Sequence, residues 1–248
     1  MIEARDLHFA YPDGTRALNG VTFRLETPAF VLLCGANGQG KTTLLHILSG
    51  LYEPSSGSLS VLGVNAARDR RAMRRRVGLV FQDPDHQILG ETVAEDVAFG
   101  LENLGLSREA IGRRLDAVLE QFNLLALRDK PCYALSGGEK RRVALAGVLA
   151  MNPEVILFDE PFTHLDWAGS QAVLKAMLGL RAEGRTVVVS THDVEKVIAH
   201  VEDVLVLEKG VVVDQGPPRH LAHRLAEHGV RPPCSVFLGK GLQPWLAD

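Results

Sequence analysis

Cysteine is scarce in this sequence, and its placement argues against a metal centre. The three cysteines, Cys34, Cys132 and Cys234, are odd in number and lie far apart in a chain of 248 residues. They do not have the paired spacing of a zinc site. A reducing cytosol is the simplest environment for a chain with such cysteines.

Long hydrophobic runs, targeting signals and an excess of either charge are also missing. No apolar run approaches the roughly 20 residues that are needed to cross a bilayer, and the N-terminus lacks the basic, apolar and small-residue pattern of a secretion signal. The net charge of −3 gives no overall attraction to DNA, RNA or anionic lipid. We therefore expect a protein that is soluble by itself, so that another component must hold it if it works at a membrane.

The sequence does contain a series of short apolar runs, which predict an α/β fold. A chain of this length, with 46% hydrophobic residues, can bury a substantial core. The part from Ile2 to Leu25 is rich in strand patterns. Buried strands are also predicted in four later runs, at residues 30–34, 77–81, 155–158 and 186–190. Between Asp83 and Lys130 the strand pattern stops, and Ser107 is expected to cap a helix that runs to Phe122, so this stretch is interpreted as a helical insert.

The stretch after residues 30–34 has the pattern of a phosphate-binding loop. It consists of Gly35, Ala36, Asn37, Gly38, Gln39, Gly40, Lys41 and Thr42. Backbone N–H groups of such a loop, at the start of the helix predicted from Thr43, favour phosphate. Lys41 would neutralise the β- and γ-phosphates, and the Thr42 hydroxyl would ligate Mg²⁺. The alternative is a chance match in a glycine-rich turn; otherwise the stretch predicts binding of a nucleoside triphosphate.

Two acidic residues, Asp159 and Glu160, directly follow the apolar run at 155–158. Adjacent carboxylates at the end of a buried strand are costly unless they have partners or a task. Asp159 suits Mg²⁺ as the partner of Thr42, and Glu160 suits the orientation of a water molecule for attack on the γ-phosphate. A solvated strand end is the alternative.

Three further residues near strands each have two interpretations. Gln82 follows the run at 77–81, at a strand end where ligands collect, and could reach the phosphates or the metal; without that context it is an ordinary loop residue. His192 could donate a hydrogen bond to a phosphate, although a loop or capping histidine is favoured when the residue is taken alone. Tyr11, beside a turn, is either packing or a platform for a base.

Another predicted helix, ending at about Met151, opens with Leu135, Ser136, Gly137, Gly138 and Glu139. Serine and two glycines at a helix start could be a simple cap. They also leave the helix N-terminus bare enough to receive an anion.

A basic run from Arg68 to Arg76 could contact nucleic acid or lipid headgroups. No aromatic residue interleaves it, and the whole chain is acidic. A solvated helix face is therefore the favoured interpretation.

Taken in order, the loop, Gln82, the Leu-Ser-Gly-Gly-Glu stretch, the acidic pair and His192 closely resemble the nucleotide-binding subunit of ATP-binding cassette (ABC) transporters. The resemblance extends from about Met1 to Gly216. The Leu-Ser-Gly-Gly-Glu signature discriminates most, since ordinary P-loop kinases and small GTPases lack it. The resemblance implies a P-loop NTPase core with an N-terminal antiparallel β subdomain. It also implies an inserted α-helical subdomain at about 83–150 and a short C-terminal extension at 217–248.

The resemblance implies roles for individual residues as well. The loop residues and Thr43 would bind ATP, with Tyr11 stacking on the adenine. Mg²⁺ would be held by Thr42, Gln82 and Asp159, and the catalytic residues would be Glu160, His192 and Gln82. Residues 135–139 would act on the nucleotide of another subunit, and Leu165 and Asp166 would lie in the D-loop.

Three positions depart from the family pattern. Gln39 stands where Ser or Ala is commoner, and its neighbours still supply the backbone donors. In the D-loop, His164 replaces a small residue and Trp167 a proline. These two changes could alter how the subunits signal across their interface.

A narrower resemblance, to the energy-coupling factor group, is carried by three stretches. They are residues 81–89, 92–100 and 103–106. The group includes cobalt- and nickel-import ATPases and the ATPases that serve vitamin uptake, and the tail is similar to its short C-terminal extension. The sequence itself does not identify the solute.

The resemblance also implies how such a chain works. In the family, Ser136, Gly137 and Gly138 of one subunit close on the γ-phosphate held by Lys41 of another, so that ATP joins two subunits and hydrolysis releases them. The expected partners are a second ATPase subunit, identical or paralogous, and multispanning membrane subunits, with this chain peripheral on the cytoplasmic face of the cell membrane. Uptake of a metal ion such as cobalt or nickel, or of a vitamin, is the expected outcome.

The rival interpretation is an ABC-type, ATP-gated clamp on nucleic acid or the ribosome. Such proteins usually have a long coiled coil or two cassettes in one chain. This sequence has neither, and we expect no nucleic-acid partner.

Overall fold

The structure is a computed structural model that describes residues 1–246. Its strands are β1 (Ile2–Ala10), β2 (Arg16–Leu25), β3 (Phe30–Cys34), β4 (Ser56–Val61), β5 (Val64–Asn65), β6 (Val77–Val80), β7 (Val155–Asp159), β8 (Thr186–Ser190), β9 (Asp203–Glu208) and β10 (Val211–Gly216). Its helices are α1 (Lys41–Leu48), α2 (Arg70–Arg76), α3 (Val93–Asn103), α4 (Arg108–Gln121), α5 (Gly137–Ala150), α6 (Trp167–Ala182), α7 (Pro218–Leu221) and α8 (Cys234–Phe237). The predicted α/β class is confirmed.

A six-stranded sheet forms the centre of the fold, in the order β10-β9-β3-β8-β7-β6. Its neighbouring strands are parallel except β10, which runs antiparallel to β9. Side chains of α1, including Leu44, pack on one face of this sheet, and side chains of α6, including Leu174 and Met177, pack on the other. Strands covered on both faces have continuous apolar runs rather than alternating ones, and every residue of β3, β7 and β8 is buried. The carboxyl ends of these strands meet at one edge, where ligands collect in open α/β sheets.

An antiparallel sheet in the order β2-β1-β4-β5 precedes and flanks this centre. Buried residues of β1, including Ile2, Ala4 and Leu7, join the same core layer as α1. The first part of the chain therefore packs on the side of the sheet that carries the phosphate loop's helix.

Helices α3, α4 and α5 lie between β6 and β7 and have a small core of their own. Leu115 and Leu119 of α4, two members of the predicted apolar stripe, are buried in it. Each of the three helices begins with a side-chain cap, provided by Thr92, Ser107 and Ser136 respectively. The predicted cap at Ser107 is confirmed. The domain boundaries near residues 83, 150 and 216 stay predictions.

The basic run forms α2, which presents most of its arginines to solvent. Met73 is buried, whereas Arg71, Arg74, Arg75 and Arg76 are exposed. Exposed arginines are consistent with both interpretations of this run, so the solvated helix face stays a prediction.

The segment after β10 packs against the face of the sheet that α6 covers. Leu221, Leu225 and Val230 are buried in that core layer. Near the end of the described chain, the Trp245 ring lies against Trp167 at the start of α6, with ring centroids 4.3 Å apart. Among residues 1–246, no helix has both the length and the hydropathy to span a membrane.

Candidate nucleotide-binding site

The phosphate loop joins β3 to α1, and its backbone requires glycine at two points. Gly35 and Gly40 have φ angles of +152° and +98°. A Cβ atom at Gly35 would lie 2.2 Å from the Leu207 carbonyl oxygen, and one at Gly40 would lie 2.5 Å from that of Ala17. Gly40 also precedes α1 without a side-chain cap, so the first N–H groups of that helix are available to an anion.

Lys41 is held inside this loop. Its side chain is buried, and Nζ donates to the carbonyl oxygens of Gly35 at 2.8 Å and Ala36 at 3.0 Å. Burial lowers the Lys41 pKa, an effect that the nearby Glu160 and Asp159 carboxylates oppose. A partly desolvated ammonium group beside free N–H groups is an environment that favours a phosphate.

Gln39, which departs from the family pattern, connects the phosphate loop to the turn between β9 and β10. Its Oε1 accepts a hydrogen bond from the Lys209 backbone N–H, and its carbonyl oxygen accepts one from the N–H of Gly210, at 3.2 Å. Asn19 donates to the Lys209 carbonyl oxygen at 2.8 Å. The turn between β9 and β10 therefore fixes the loop through side-chain and backbone contacts.

Thr42 and Asp159 meet at the carboxyl edge of the sheet. The Thr42 hydroxyl donates to Asp159 Oδ2 at 2.7 Å. The other carboxylate oxygen, Oδ1, is buried and makes no hydrogen bond within residues 1–246. Burial is also the main reason why the Asp159 pKa is raised. A hydroxyl and a carboxylate with one unpaired oxygen fit Mg²⁺, which takes oxygen ligands.

The ligands of the site are few, which is compatible with magnesium. No cluster of three or more His, Cys, Asp or Glu side chains within the described residues could hold a metal ion. Mg²⁺ is commonly bound through one or two carboxylates together with substrate phosphates and water. Gln82, the third predicted ligand, is exposed and lines the same groove as Thr42 and Asp159.

Glu160 is oriented by the loop that follows β8. One carboxylate oxygen accepts hydrogen bonds from His192 N at 3.1 Å and His192 Nδ1 at 3.0 Å, and the other accepts one from Thr191 Oγ1 at 3.1 Å. Glu160 has a φ angle of +42°, a conformation that costs on the order of 1–3 kcal/mol for a residue other than glycine. Its N–H donates to the Ser190 carbonyl oxygen at 2.8 Å, which secures the strained backbone.

Most of the predicted ATP-binding and catalytic residues surround one cavity of about 500 Å³. Its lining includes Tyr11, Asn37, Gly38, Gly40, Lys41, Thr42, Thr43, Gln82, Glu160 and His192. The other lining residues are Thr15, Arg16, Ala17 and Thr163, which were not predicted from the sequence. They come from β2, the turn before it and the segment after Glu160, and they carry no local motif.

Tyr11 is fixed at the rim of this cavity. Its hydroxyl and that of Thr43 are 2.8 Å apart, within hydrogen-bond distance. Its ring packs edge-on against Phe9, with centroids 5.1 Å apart, and against Tyr52, with centroids 6.2 Å apart. The residue therefore packs against the core and also lines the cavity, and its role as the adenine platform stays a prediction.

The signature residues lie elsewhere. Leu135 is buried in the helical core, while Ser136 and Glu139 form a reciprocal cap at the start of α5. That hydrogen bonding lowers the Glu139 pKa. Gly137 and Gly138 line a neighbouring groove of about 850 Å³ together with Asp159, and this groove shares Thr42, Gln82 and Thr163 with the cavity. Among the described residues that line the 500 Å³ cavity, none comes from 135–139.

The D-loop residues lie beside this groove. Leu165 and His164 line it, and His164 has a φ angle of +60°. Asp166 caps α6 by accepting a hydrogen bond from the Gly169 N–H at 2.8 Å. Trp167 is 59% exposed and contacts Trp245, so the unusual tryptophan packs against the C-terminal segment.

The sequence was also compared with known protein families and proteins. A family model described as ABC transporter matches residues 18–163. The energy-coupling factor transporter ATP-binding protein EcfA of Methanococcus maripaludis is 42% identical over 224 residues, which are 89% of this chain and 81% of EcfA. The cobalt import ATP-binding protein CbiO of Syntrophus aciditrophicus is 44% identical over 244 residues, 96% of this chain and 87% of CbiO.

Solved structures are similar as well. CbiO1 of Clostridium perfringens, part of the CbiONQ ABC transporter complex, is 36% identical and superposes with a TM-score of 0.77 over 89% of each chain. The cassette MJ0796, solved as a dimer bound to ADP and phosphate, is 28% identical, with a TM-score of 0.78 over 88% of this chain and 99% of that one.

Proposed function

The chain belongs to the ABC transporter family, and from this membership we propose that it is an ATP-hydrolysing subunit that energises uptake of a small solute. Its relatives include energy-coupling factor and cobalt-import ATPases. A metal ion such as cobalt or nickel, or a vitamin, is therefore the proposed class of solute. Nothing in the comparisons favours a clamp on nucleic acid.

One observation carries the proposal: the phosphate loop, Glu160 and His192 line a single cavity, while the signature glycines lie outside it. The cavity has the donors to bind a triphosphate and a carboxylate to orient water. Among the described residues that line it, none comes from the signature stretch at 135–139. A second chain would supply this stretch.

ATP would bind with its phosphates against the loop and Lys41, where N–H groups and one ammonium group stabilise negative charge. Glu160 would orient and polarise the attacking water, because its carboxylate is already held by Thr191 and His192. Mg²⁺, when bound at Thr42, Asp159 and Gln82, would supply further positive charge at the β- and γ-phosphates. His192 would steady the transferring phosphoryl group.

The start of α5 would close on the nucleotide of a second chain. Gly137 and Gly138 have no heavy atom within 4 Å of the position that a Cβ would take, so their backbone is accessible. The N-terminus of this helix carries partial positive charge and N–H donors. ATP would thus join two subunits, a second copy of this chain or a paralogue, and hydrolysis would separate them.

A membrane subunit would dock in a second groove, between the central sheet and the helices α3 and α5. This groove of about 420 Å³ is lined by residues of β6, α3 and α5. Three large apolar side chains on it are exposed: Leu51 by 45%, Leu89 by 71% and Phe99 by 49%. Exposed apolar side chains around a groove are typical of a protein contact site. Such docking would place the chain on the cytoplasmic face of the membrane, held by multispanning subunits.

The proposal is tested first by the concentration dependence of ATP hydrolysis. We expect the rate per chain to rise with protein concentration and to fall when Ser136 is replaced by arginine. Full activity of a dilute monomer that is indifferent to concentration and to the Ser136 variant would contradict the two-chain site.

The membrane contact is tested by affinity purification from detergent-solubilised membranes of the source organism. The intact chain should co-purify hydrophobic, multispanning subunits, and Leu89→Glu should weaken this without affecting ATP-dependent dimer formation. Arg71→Glu, on the exposed face of α2, is the matched control for a change to glutamate. Recovery of DNA or ribosomes in place of membrane subunits would support the clamp instead.

A further inference from the structure

One side chain connects the signature helix to both loops that carry predicted catalytic residues. Arg141 lies in the second turn of α5. One of its terminal guanidinium nitrogens donates to the Gln82 carbonyl oxygen at 3.1 Å, and the other donates to the Pro161 carbonyl oxygen. Gln82 follows β6, and Pro161 directly follows Glu160. The guanidinium group therefore bridges two strand ends from a third element.

We propose that Arg141 is a positioning residue for ATP hydrolysis, which sets Gln82 and Glu160 relative to the signature helix of the same chain. The inference rests on the proposed ATPase function. The guanidinium fork is planar and rigid, so that two carbonyl oxygens bound to it are held at a fixed separation. Hydrogen bonds from a charged donor are also about twice as strong as neutral ones.

The surroundings of Arg141 favour a specific role over a loose surface contact. The side chain is half-buried, and burial lowers its pKa, an effect that the Asp83 carboxylate opposes. Arg141 also lines the groove that contains Thr42, Asp159 and Gly137. A charged group that is partly withdrawn from water requires good partners, and the two carbonyl oxygens provide them.

Neighbouring contacts strengthen the attachment of the Gln82 loop to α5 without duplicating the bridge. Gln87 accepts a hydrogen bond from the Phe81 N–H at 2.9 Å and donates to the Ala144 carbonyl oxygen at 3.1 Å. Lys140, whose side chain is 19% exposed, pairs with Asp85, whose side chain is 61% exposed. Neither contact reaches the segment after Glu160. Arg141 alone of these three side chains joins both strand ends.

This placement predicts an effect on turnover rather than on nucleotide affinity. Gln82 and Glu160 act on the metal and the water, whereas the phosphate loop that binds ATP is fixed by β3, β9 and their turns. If Arg141→Gln lets the two strand ends relax, kcat should fall by about ten- to a hundredfold, the scale of a misplaced catalytic group. KM and nucleotide affinity should change by less than about threefold, because the contacts that bind ATP equally in the ground state and the transition state do not involve Arg141.

The test compares Arg141→Gln, Arg141→Lys and Arg114→Gln. Arg114 lies exposed on α4 of the same helical region and has no side-chain hydrogen bond or ion pair within residues 1–246, so its replacement repeats the charge change without the bridge. Steady-state kinetics, binding of a fluorescent ATP analogue and thermal unfolding are measured for each variant. Hydrogen exchange of peptides covering residues 81–87 and 159–163 gives a readout that does not depend on activity.

We expect Arg141→Gln to lower kcat, to keep nucleotide affinity and to speed exchange in both peptides. Arg141→Lys, which keeps the charge but not the fork, should recover only part of kcat, and Arg114→Gln should match wild type. A purely structural role would lower the melting temperature while leaving kcat unchanged at temperatures where the variant is folded, and this result would overturn the proposal. Should Arg141→Gln fail to fold, wild-type kcat and exchange in Arg141→Lys would overturn it equally.

Failure of this inference is distinguishable from failure of the proposed function. If the wild-type chain hydrolyses no ATP at any concentration, the ATPase proposal fails and the bridge has no reaction to serve. If the wild type is active and Arg141→Gln is equally active, the ATPase proposal stands and the bridge is refuted.

Discussion

Replacing Glu160 by glutamine distinguishes the contribution of its carboxylate to ATP hydrolysis from its contribution to the stability of the fold. The carboxylate accepts three hydrogen bonds, two from His192 and one from Thr191, at distances of 3.0–3.1 Å. The glutamine carbonyl can keep the two from His192. The Thr191 hydroxyl can turn to accept from the new amide. Thr191 Oγ1 also accepts from the Asp193 N–H at 3.1 Å, so the turned hydroxyl would accept two hydrogen bonds and lose the acceptor of its own proton. We expect the free energy of unfolding to fall by about 1 kcal/mol, the net contribution of one hydrogen bond.

The expected loss of activity is much larger. A general base or water-orienting group contributes roughly 10²–10⁴ in rate, which corresponds to about 2.7–5.5 kcal/mol of transition-state stabilisation. Nucleotide affinity should hold or improve, since the change removes a negative charge beside the phosphate cavity. The variant should therefore bind ATP, form ATP-dependent dimers and hydrolyse very slowly.

Three measurements on the same preparation check this expectation. Single-turnover hydrolysis gives the chemical rate, binding of a fluorescent analogue gives affinity, and light scattering gives the ATP-dependent dimer. Thr191→Val is the control, because it leaves the Glu160 carboxylate in place and removes the Thr191 hydroxyl, which donates to that carboxylate and accepts from the Asp193 N–H. Near wild-type turnover in Glu160→Gln, or an equal loss in Thr191→Val, would refute the assignment of Glu160.

Further predictions concern the glycines and the thiols. Gly40→Ala should lower the melting temperature more than Gly38→Ala, which calorimetry can compare. Both glycines have positive φ angles, which alone cost roughly 1–2 kcal/mol for alanine. Only at Gly40 would the new Cβ also lie against a carbonyl oxygen, at 2.5 Å. Gly137→Asp should fold and bind ATP normally, since the position is open, yet form no ATP-dependent dimer by light scattering, because it would set a carboxylate against phosphate. A thiol reagent at pH 8 should modify Cys234 alone in the native chain. Cys34 and Cys132 are buried, and burial raises the pKa of both thiols, that of Cys34 to about 12. Mass spectrometry after labelling gives the number of modified thiols.

The local parts of the fold were predictable because they leave periodic or motif patterns. The run at 155–158 predicted a buried strand, and β7 covers it and continues to Asp159. The cap at Ser107 and the stripe that includes Leu115 predicted α4. Two carboxylates directly after an apolar run predicted that Asp159 would pair with Thr42, and the strand ends that carry them meet at one edge of the sheet.

Contacts between distant side chains and backbone groups could not be predicted in this way. Gln39 accepts from Lys209, 170 residues along the chain, and Arg141 donates to Gln82 across 59 residues. A carbonyl oxygen is present at every residue, so the sequence does not indicate which one a guanidinium or amide will find. The C-terminal extension was expected, but its packing was not, since Trp245 contacts Trp167 and the core layer on the α6 side of the sheet without a repeating apolar stripe to predict it.

Several polar side chains of the site have hydrogen-bond partners within the chain, whereas Asp159 Oδ1 has none among residues 1–246. Lys41 donates to loop carbonyl oxygens, Thr42 donates to Asp159, and Glu160 accepts from His192. Binding therefore exchanges existing hydrogen bonds for new ones, and such exchanges contribute less than the new contacts would suggest. The fold does not need a second chain to satisfy these groups; what it lacks is closure over the phosphate. A change at Gly137, which is open in the single chain, consequently tests the paired mechanism more directly than any change within the phosphate loop.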